Sequence, residues 1–158
     1  MINTCSNGSN LSGLASEDFR KEINHKETAL FILKNSLGME VAVTNYGCAI
    51  LSIMVPDREG KYANVILGHD SIDHVINSPE PFLSTTIGRY GNRIAKGRFT
   101  LYGEEHQLTI NNGPNSLHGG PTGFHTRVWD AVQPDETTVI FNYTSADGEE
   151  GFPGKVEV

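Results

Sequence analysis

Two cysteines, one tryptophan and three methionines stand among the 158 residues of the chain, and each scarcity excludes something. Cys5, in a polar stretch, and Cys48, inside an apolar run, are too sparse for a disulfide framework or a zinc site. They fit a reducing compartment, with Cys48 expected to be buried. No window approaches the ~18 apolar residues of a membrane span, and "MINTCSNGSNLSG", residues 1–13, has neither the basic start nor the apolar run of a secretory leader. The expectation is a cytoplasmic protein with no membrane partner. Positive charge is short as well: 12 Lys and Arg face 19 Asp and Glu, a net charge of −7 with no basic cluster. A phosphate backbone would be repelled, which argues against nucleic acid as a partner. Phosphate-cradling glycine loops, nucleophile elbows and Cys/His metal spacings are all missing, so no cofactor and no metal is called for.

What remains is a globular composition, 37% hydrophobic and 20% charged, of a length that suits one domain. The Ser/Asn/Gly-rich start predicts a flexible arm over residues 1–25, with one helical turn in "LASEDF" (14–19) capped by Ser16. Residues 26–158 then form the folded domain. From Glu27 onward, short apolar runs with period-2 alternation predict strands: "EVAVTN" (40–45), "CAILSIMV" (48–55) and "YANVILG" (62–68), with "PDREG" (56–60) as a hairpin loop. Further hairpins are expected over 98–110, reversing at Gly103, and over 126–145, turning at Pro134 and Asp135. Only "DSIDHVIN" (70–77) reads as a helix, capped by Asp70 or Ser71. The fold class is therefore all-β, built from antiparallel strands.

Candidates for chemistry cluster in two turns. In "GRYGNRIAKGRF" (88–99), Arg93 offers a rigid fork of donors and Asn92 both donor and acceptor, a combination that suits sugar hydroxyls. In "NSLHGG" (115–120), the glycines allow a close backbone approach that would aim His118 into a cleft. Other candidates read more simply. Trp129 with Phe124 could stack on a sugar ring, but core burial explains them better. Asp147, Glu149 and Glu150 in "SADGEEGFPG" (145–154) could bind Ca²⁺ or exchange protons, but such acids more often decorate a solvated turn. His69 and His74 are spaced wrongly for a metal pair on one helix face, and His25, His106 and His125 lie among polar residues.

Taken together, "TNYG" (44–47), "VPDREGKYANVILGHDSIDHVIN" (55–77), "TIGRYGNRIAKGRFTLYGEEHQL" (86–108), "NSLHGG" (115–120), "GFHTRVW" (123–129) and "SADGEEGFPG" (145–154) resemble the aldose 1-epimerases, or galactose mutarotases, in order and spacing. The resemblance implies a large antiparallel β-sandwich of the galactose mutarotase-like type. It implies interconversion of the α and β anomers of galactose or glucose by acid/base ring opening, with no required cofactor and no sequence support for Ca²⁺. It places substrate binding at Asn92, Arg93 and His118. The family's sequence continues well past the point matching "GFPGKVEV", and its acid histidine, binding aspartate and base glutamate have no match in residues 1–158. The resemblance thus implies that the acid and base would lie beyond Val158, and no catalytic residue is carried over. The sandwich is expected to be incomplete, and an exposed sheet edge is expected to favour self-association. Two other readings stay open: a non-catalytic carbohydrate-binding module of the same fold, and a relative acting on hexose 6-phosphates through Arg89, Lys96 and Arg98.

Overall fold

The computed structural model describes residues 10–158, so Cys5 and the first part of the expected arm lie outside the described residues. The strands are β1 (Glu22–Ile23), β2 (Lys26–Glu27), β3 (Leu30–Lys34), β4 (Glu40–Thr44), β5 (Ile50–Pro56) and β6 (Tyr62–Asn64). A short helix α1 (Ile72–Ile76) follows, then β7 (Arg93–Ile94), β8 (Arg98–Leu101), β9 (Glu104–Gln107) and β10 (Ser116–Leu117). Strands β11 (Asp130–Asp135), β12 (Thr138–Asn142), β13 (Thr144–Ser145) and β14 (Val156–Glu157) complete the order.

The framework is an antiparallel meander, β3-β4-β5-β6, whose strands carry nearly continuous apolar runs and turn one face toward a core. Ala42, Leu51, Tyr46 and Ala49 pack there against Phe19, Ile72, Val75 and Val128, with Leu30 and Ile32 at the margin. Between Ala42 and Val43 the β4–β5 register shifts, a bulge that turns the strand ends toward the loops beyond. Helix α1 forms where expected: Ser71 adopts extended angles and its hydroxyl accepts from the His74 amide, leaving Ile72 and Val75 to face the core.

The β8–β9 hairpin reverses through Tyr102 and Gly103, both at positive φ (51° and 86°), as a two-residue loop matched to strand twist requires. The third hairpin runs past the expected turn. Strand β11 continues through Pro134 and Asp135, and the reversal falls at Glu136 and Thr137 because the Asp135 carboxylate accepts from the Thr137 amide at 2.8 Å. The fourth meander strand, β6, is shorter than its apolar run. It ends at Asn64, whose side-chain oxygen accepts from the amides of Ile53 and Ile66 in place of ladder partners. Val65 and Leu67 are consequently exposed beyond the edge strand β6.

Residues 10–25 do not hang free. Phe19 is fully buried in the main core. The amides of Leu11 and Ser12 donate to the two carboxylate oxygens of Glu40 at 2.9 and 3.0 Å. The turn at Ser16–Phe19 is a 3₁₀ helix preceded by Ala15, so Ser16 begins it and does not cap it. Burial alone would push the Glu40 carboxyl up; the two amides and the Lys34 ammonium outweigh it and hold the group below its ordinary 4.5.

Candidate sugar-binding site

The turns around Arg93 and His118 meet through a two-residue ladder, in which β7 pairs with β10 so that Arg93 stands opposite Leu117 and Ile94 opposite Ser116. So short a ladder needs side-chain support. Asn111 supplies it by accepting from the Leu117 amide at 2.7 Å and donating to the Leu117 carbonyl at 2.9 Å. Asn115 adds a bond from the Lys96 amide at 3.2 Å.

Asn92 and His118 then lock to each other. The His118 amide donates to the Asn92 carbonyl at 2.9 Å, and the Asn92 amide donates to His118 Nδ1 at 3.0 Å. Both residues adopt left-handed backbone angles, φ 69° and 53°, which the reciprocal bonds hold in place. Because Nδ1 accepts, the neutral imidazole carries its proton on Nε2, which has no protein partner among the described residues. The Arg93 guanidinium is steered in the same way. Nε donates to Asn112 Oδ1 at 2.9 Å and one terminal nitrogen to Asn92 Oδ1 at 3.1 Å, while the other terminal nitrogen has no protein partner among the described residues. Asn92, Arg93 and His118 thus form one hydrogen-bonded unit that presents unused donors.

Gly119 seats this unit on the chain below. At φ 85°, a Cβ there would lie 1.9 Å from the Gly88 carbonyl oxygen, so only glycine allows "LHGG" to sit against "IGRY". Next to His118, the Phe82 ring packs on two imidazoles, 4.7 Å from that of His118 and 4.6 Å from that of His125. His125, expected among polar surroundings, is 3% exposed and its Nδ1 has no hydrogen-bond partner among the described residues. Burial, with the nearby His118 and Arg127 charges, lowers its pKa from 6.5 to about 4 against the opposing pull of Glu150.

The acids of residues 145–154 also differ from expectation, since Glu149 and Glu150 are partly buried and bonded. Glu149 pairs with Arg127 at 2.7 Å and accepts from the hydroxyls of Tyr143 and Ser145. Glu150 accepts from the Thr122 amide at 2.9 Å and from its hydroxyl. Arg127 and Thr122 are distant in sequence, which is why a local reading places these acids in solvent. Arg89 is likewise committed: its guanidinium donates to Ser145 Oγ and to the carbonyls of Ser145, Ala146, Pro153 and Gly154. Trp129 and Phe124 belong to the interior, 3% and 6% exposed, packed edge-on at 5.6 Å with the indole N–H donating to the Phe124 carbonyl. Val158, the position past which the resemblance puts the acid and base, has a strand-pairing role and is not itself a site residue. Its amide donates to the Tyr143 carbonyl at 3.0 Å and its carbonyl accepts from the Tyr143 amide at 2.9 Å, which prolongs the β13–β14 pair.

One more contact joins sheet and site. In the turn after β4, the Gly47 amide donates to the Arg127 carbonyl at 2.8 Å and the Thr86 amide to the Gly47 carbonyl at 2.8 Å. Cys48 sits in this turn at φ 46°, and burial pushes its thiol up to about 12 despite a hydrogen bond with Thr86. A depression of about 420 Å³ lies elsewhere, between Ser12, Ser52, Asn64, His69 and His74. His74 there is bonded to Asp70 at 2.5 Å. Among the described residues no group of three His, Cys, Asp or Glu side chains could hold a metal ion, and no helix is long and apolar enough to cross a membrane.

The aldose 1-epimerase family model matches residues 29–158. The galactose mutarotase of Bos taurus is 43% identical over 120 residues, covering 76% of this chain and 34% of that protein. The aldose 1-epimerase of Escherichia coli is 39% identical over 127 residues, covering 80% and 36%. Among solved structures, the galactose 1-epimerase of Lactobacillus acidophilus superposes with a TM-score of 0.74 at 30% identity, over 87% of this chain and 40% of that one. An aldose epimerase homologue from C. elegans gives 0.77 at 29%, over 82% and 40%. The chain thus spans about a third of the length of the curated relatives it matches. With the family model covering all but the first 28 residues and the galactose mutarotase-like fold shared with solved relatives, the chain belongs to the aldose 1-epimerase family.

Proposed function

We propose that this chain binds an unphosphorylated aldose such as galactose or glucose through Asn92, Arg93 and His118, as the substrate-gripping part of an aldose 1-epimerase acting in the cytoplasm. One observation carries the reading: the three residues form a single hydrogen-bonded unit whose spare donors are the outer guanidinium nitrogen of Arg93 and the Nε2–H of His118. Ring hydroxyls accept from such donors, and a charged donor to a hydroxyl contributes about 1.5 to 3 kcal/mol. Mutarotation further needs a base at the anomeric hydroxyl and an acid at the ring oxygen, with the roles exchanging on closure. The proposal assigns neither role to these three residues, which orient the sugar. A 6-phosphate substrate is disfavoured because Arg89 spends its donors on four carbonyls and a hydroxyl, and Arg98 on Gln107 and Glu105.

The test is galactose binding to the 158-residue chain by chemical-shift titration, with polarimetry of α-D-galactose in parallel. Arg93→Ala should weaken binding by about 10- to 100-fold; unchanged binding would remove Arg93 from the site. Binding without acceleration matches a chain that grips sugar but lacks the proton-transfer groups. Acceleration by this chain alone would show that an acid and a base lie within it.

A further inference from the structure

We infer that Phe82 is a positioning residue for His118, clamping the imidazole so that Nε2 keeps one direction toward the sugar; the inference rests on the sugar-binding reading above. An imidazole fixed at one atom can still swing. The Asn92 amide holds Nδ1 at 3.0 Å, which fixes the tautomer and leaves rotation about the remaining side-chain torsions. The Phe82 ring removes that freedom: it lies 4.7 Å from the His118 ring at an interplanar angle of 58°. The same ring also packs on His125, 4.6 Å away at 55°. His125 is buried and cannot yield, and its own carbonyl lies close against Gly47. The aromatic cluster of His118, Phe82 and His125 therefore backs the candidate site residue onto the part of the chain that adjoins the β4 turn.

Phe82 itself sits in a turn, with the Leu83 amide bonded to the Glu80 carbonyl and the Thr85 amide to that of Phe82. Half-buried, the Phe82 ring belongs to a turn that forms no strand ladder and meets the meander through the Ser84 carbonyl, which accepts from the Ile50 amide at 2.9 Å. Its ring contacts with other aromatic groups among the described residues are the two imidazoles. A ring in that place orients His118 through tilted aromatic packing, and the aromatic face, more than apolar volume, is what the role requires.

Replacement of Phe82 by Leu and by Tyr separates the two. In Phe82→Leu, the ring-current displacement of the His118 Cε1 and Cδ2 protons should disappear, and galactose should bind about 10-fold more weakly with little change in melting temperature. Phe82→Tyr should restore both readouts to within about twofold of the parent chain. The inference is overturned if the His118 protons keep their shifts in Phe82→Leu, if both variants weaken binding equally, or if neither weakens it while Arg93→Ala does. Should Arg93→Ala leave binding unchanged, it is the sugar-binding reading that fails, and the His118 ring shifts, recorded without sugar, still decide whether Phe82 holds the imidazole.

Discussion

The meander β3–β6 and the loop segment from Gly88 to Val128 are held by different physics. In the meander, backbone ladders and an apolar face do the work, and its residues meet neighbours close in sequence. In the loop segment the only ladder described is the two-residue β7–β10 pair, apart from the β8–β9 hairpin. Asparagine side chains, glycines without room for a Cβ, and the bonded guanidiniums of Arg89 and Arg127 replace the ladders. The lesson is that the loop segment that carries the candidate site is specified atom by atom, while its support is specified by pattern.

The largest expected effect comes from adding one carbon to the loop segment. Gly119→Ala puts a methyl 1.9 Å from the Gly88 carbonyl at φ 85°, and should cost at least about 3 kcal/mol in a denaturant melt. Gly103→Ala is the control, since it shares a positive φ (86°) but meets nothing within 4 Å. It should cost about 1 to 2 kcal/mol. Equal losses would mean that backbone conformation, and not contact with "IGRY", makes position 119 special.

Acid should distinguish the regions next. The pKa of His125 is depressed to about 4 from 6.5, so the unfolded chain takes up its proton first. Its contribution is complete above pH 6.5 and is lost as pH falls toward 4, up to about 3 kcal/mol. Glu40, which ties residues 11–12 to the sheet, is held below 4.5, so its contribution persists to lower pH and is lost only as pH falls through its folded value. Stability measured between pH 6.5 and 4.5 should therefore decline in the parent chain and stay flatter in His125→Asn. An unchanged slope would show that His125 is not buried in its neutral form.

The smallest effect belongs to the meander. Ile32→Val on β3, partly buried against the core, removes one methylene and should cost about 1 kcal/mol, leaving galactose affinity unchanged. A change in affinity would tie the sheet face to the site more tightly than the contrast allows.

The same contrast governs what could be read from sequence. Tyr102-Gly103 and the Ser71 cap of α1 act within a few residues and were legible as turn and helix start. The pairing of Asn92 and Arg93 with His118 was suggested by family resemblance, because no local pattern brings positions 92 and 118 together. The burial of His125, the bonds of Glu149 and Glu150 and the anchoring of residues 10–25 escaped a local reading. Each depends on a partner far along the chain: Phe82 packs on His125, Arg127 reaches Glu149, Thr122 reaches Glu150, and Leu11 reaches Glu40. Charged and polar residues near glycine look solvated until the distant partner is known.

Cys48 lies where the two regions are stitched together, in the turn whose amide and carbonyl at Gly47 bond to Arg127 and Thr86. A thiol with a pKa of about 12 is almost entirely protonated at neutral pH, so it reacts slowly while the turn stays closed. Once the turn opens, it becomes an ordinary cysteine. Its alkylation rate is therefore a clock for the parting of the sheet from the loop segment, and slowing of that clock by galactose would show that the sugar holds the seam shut.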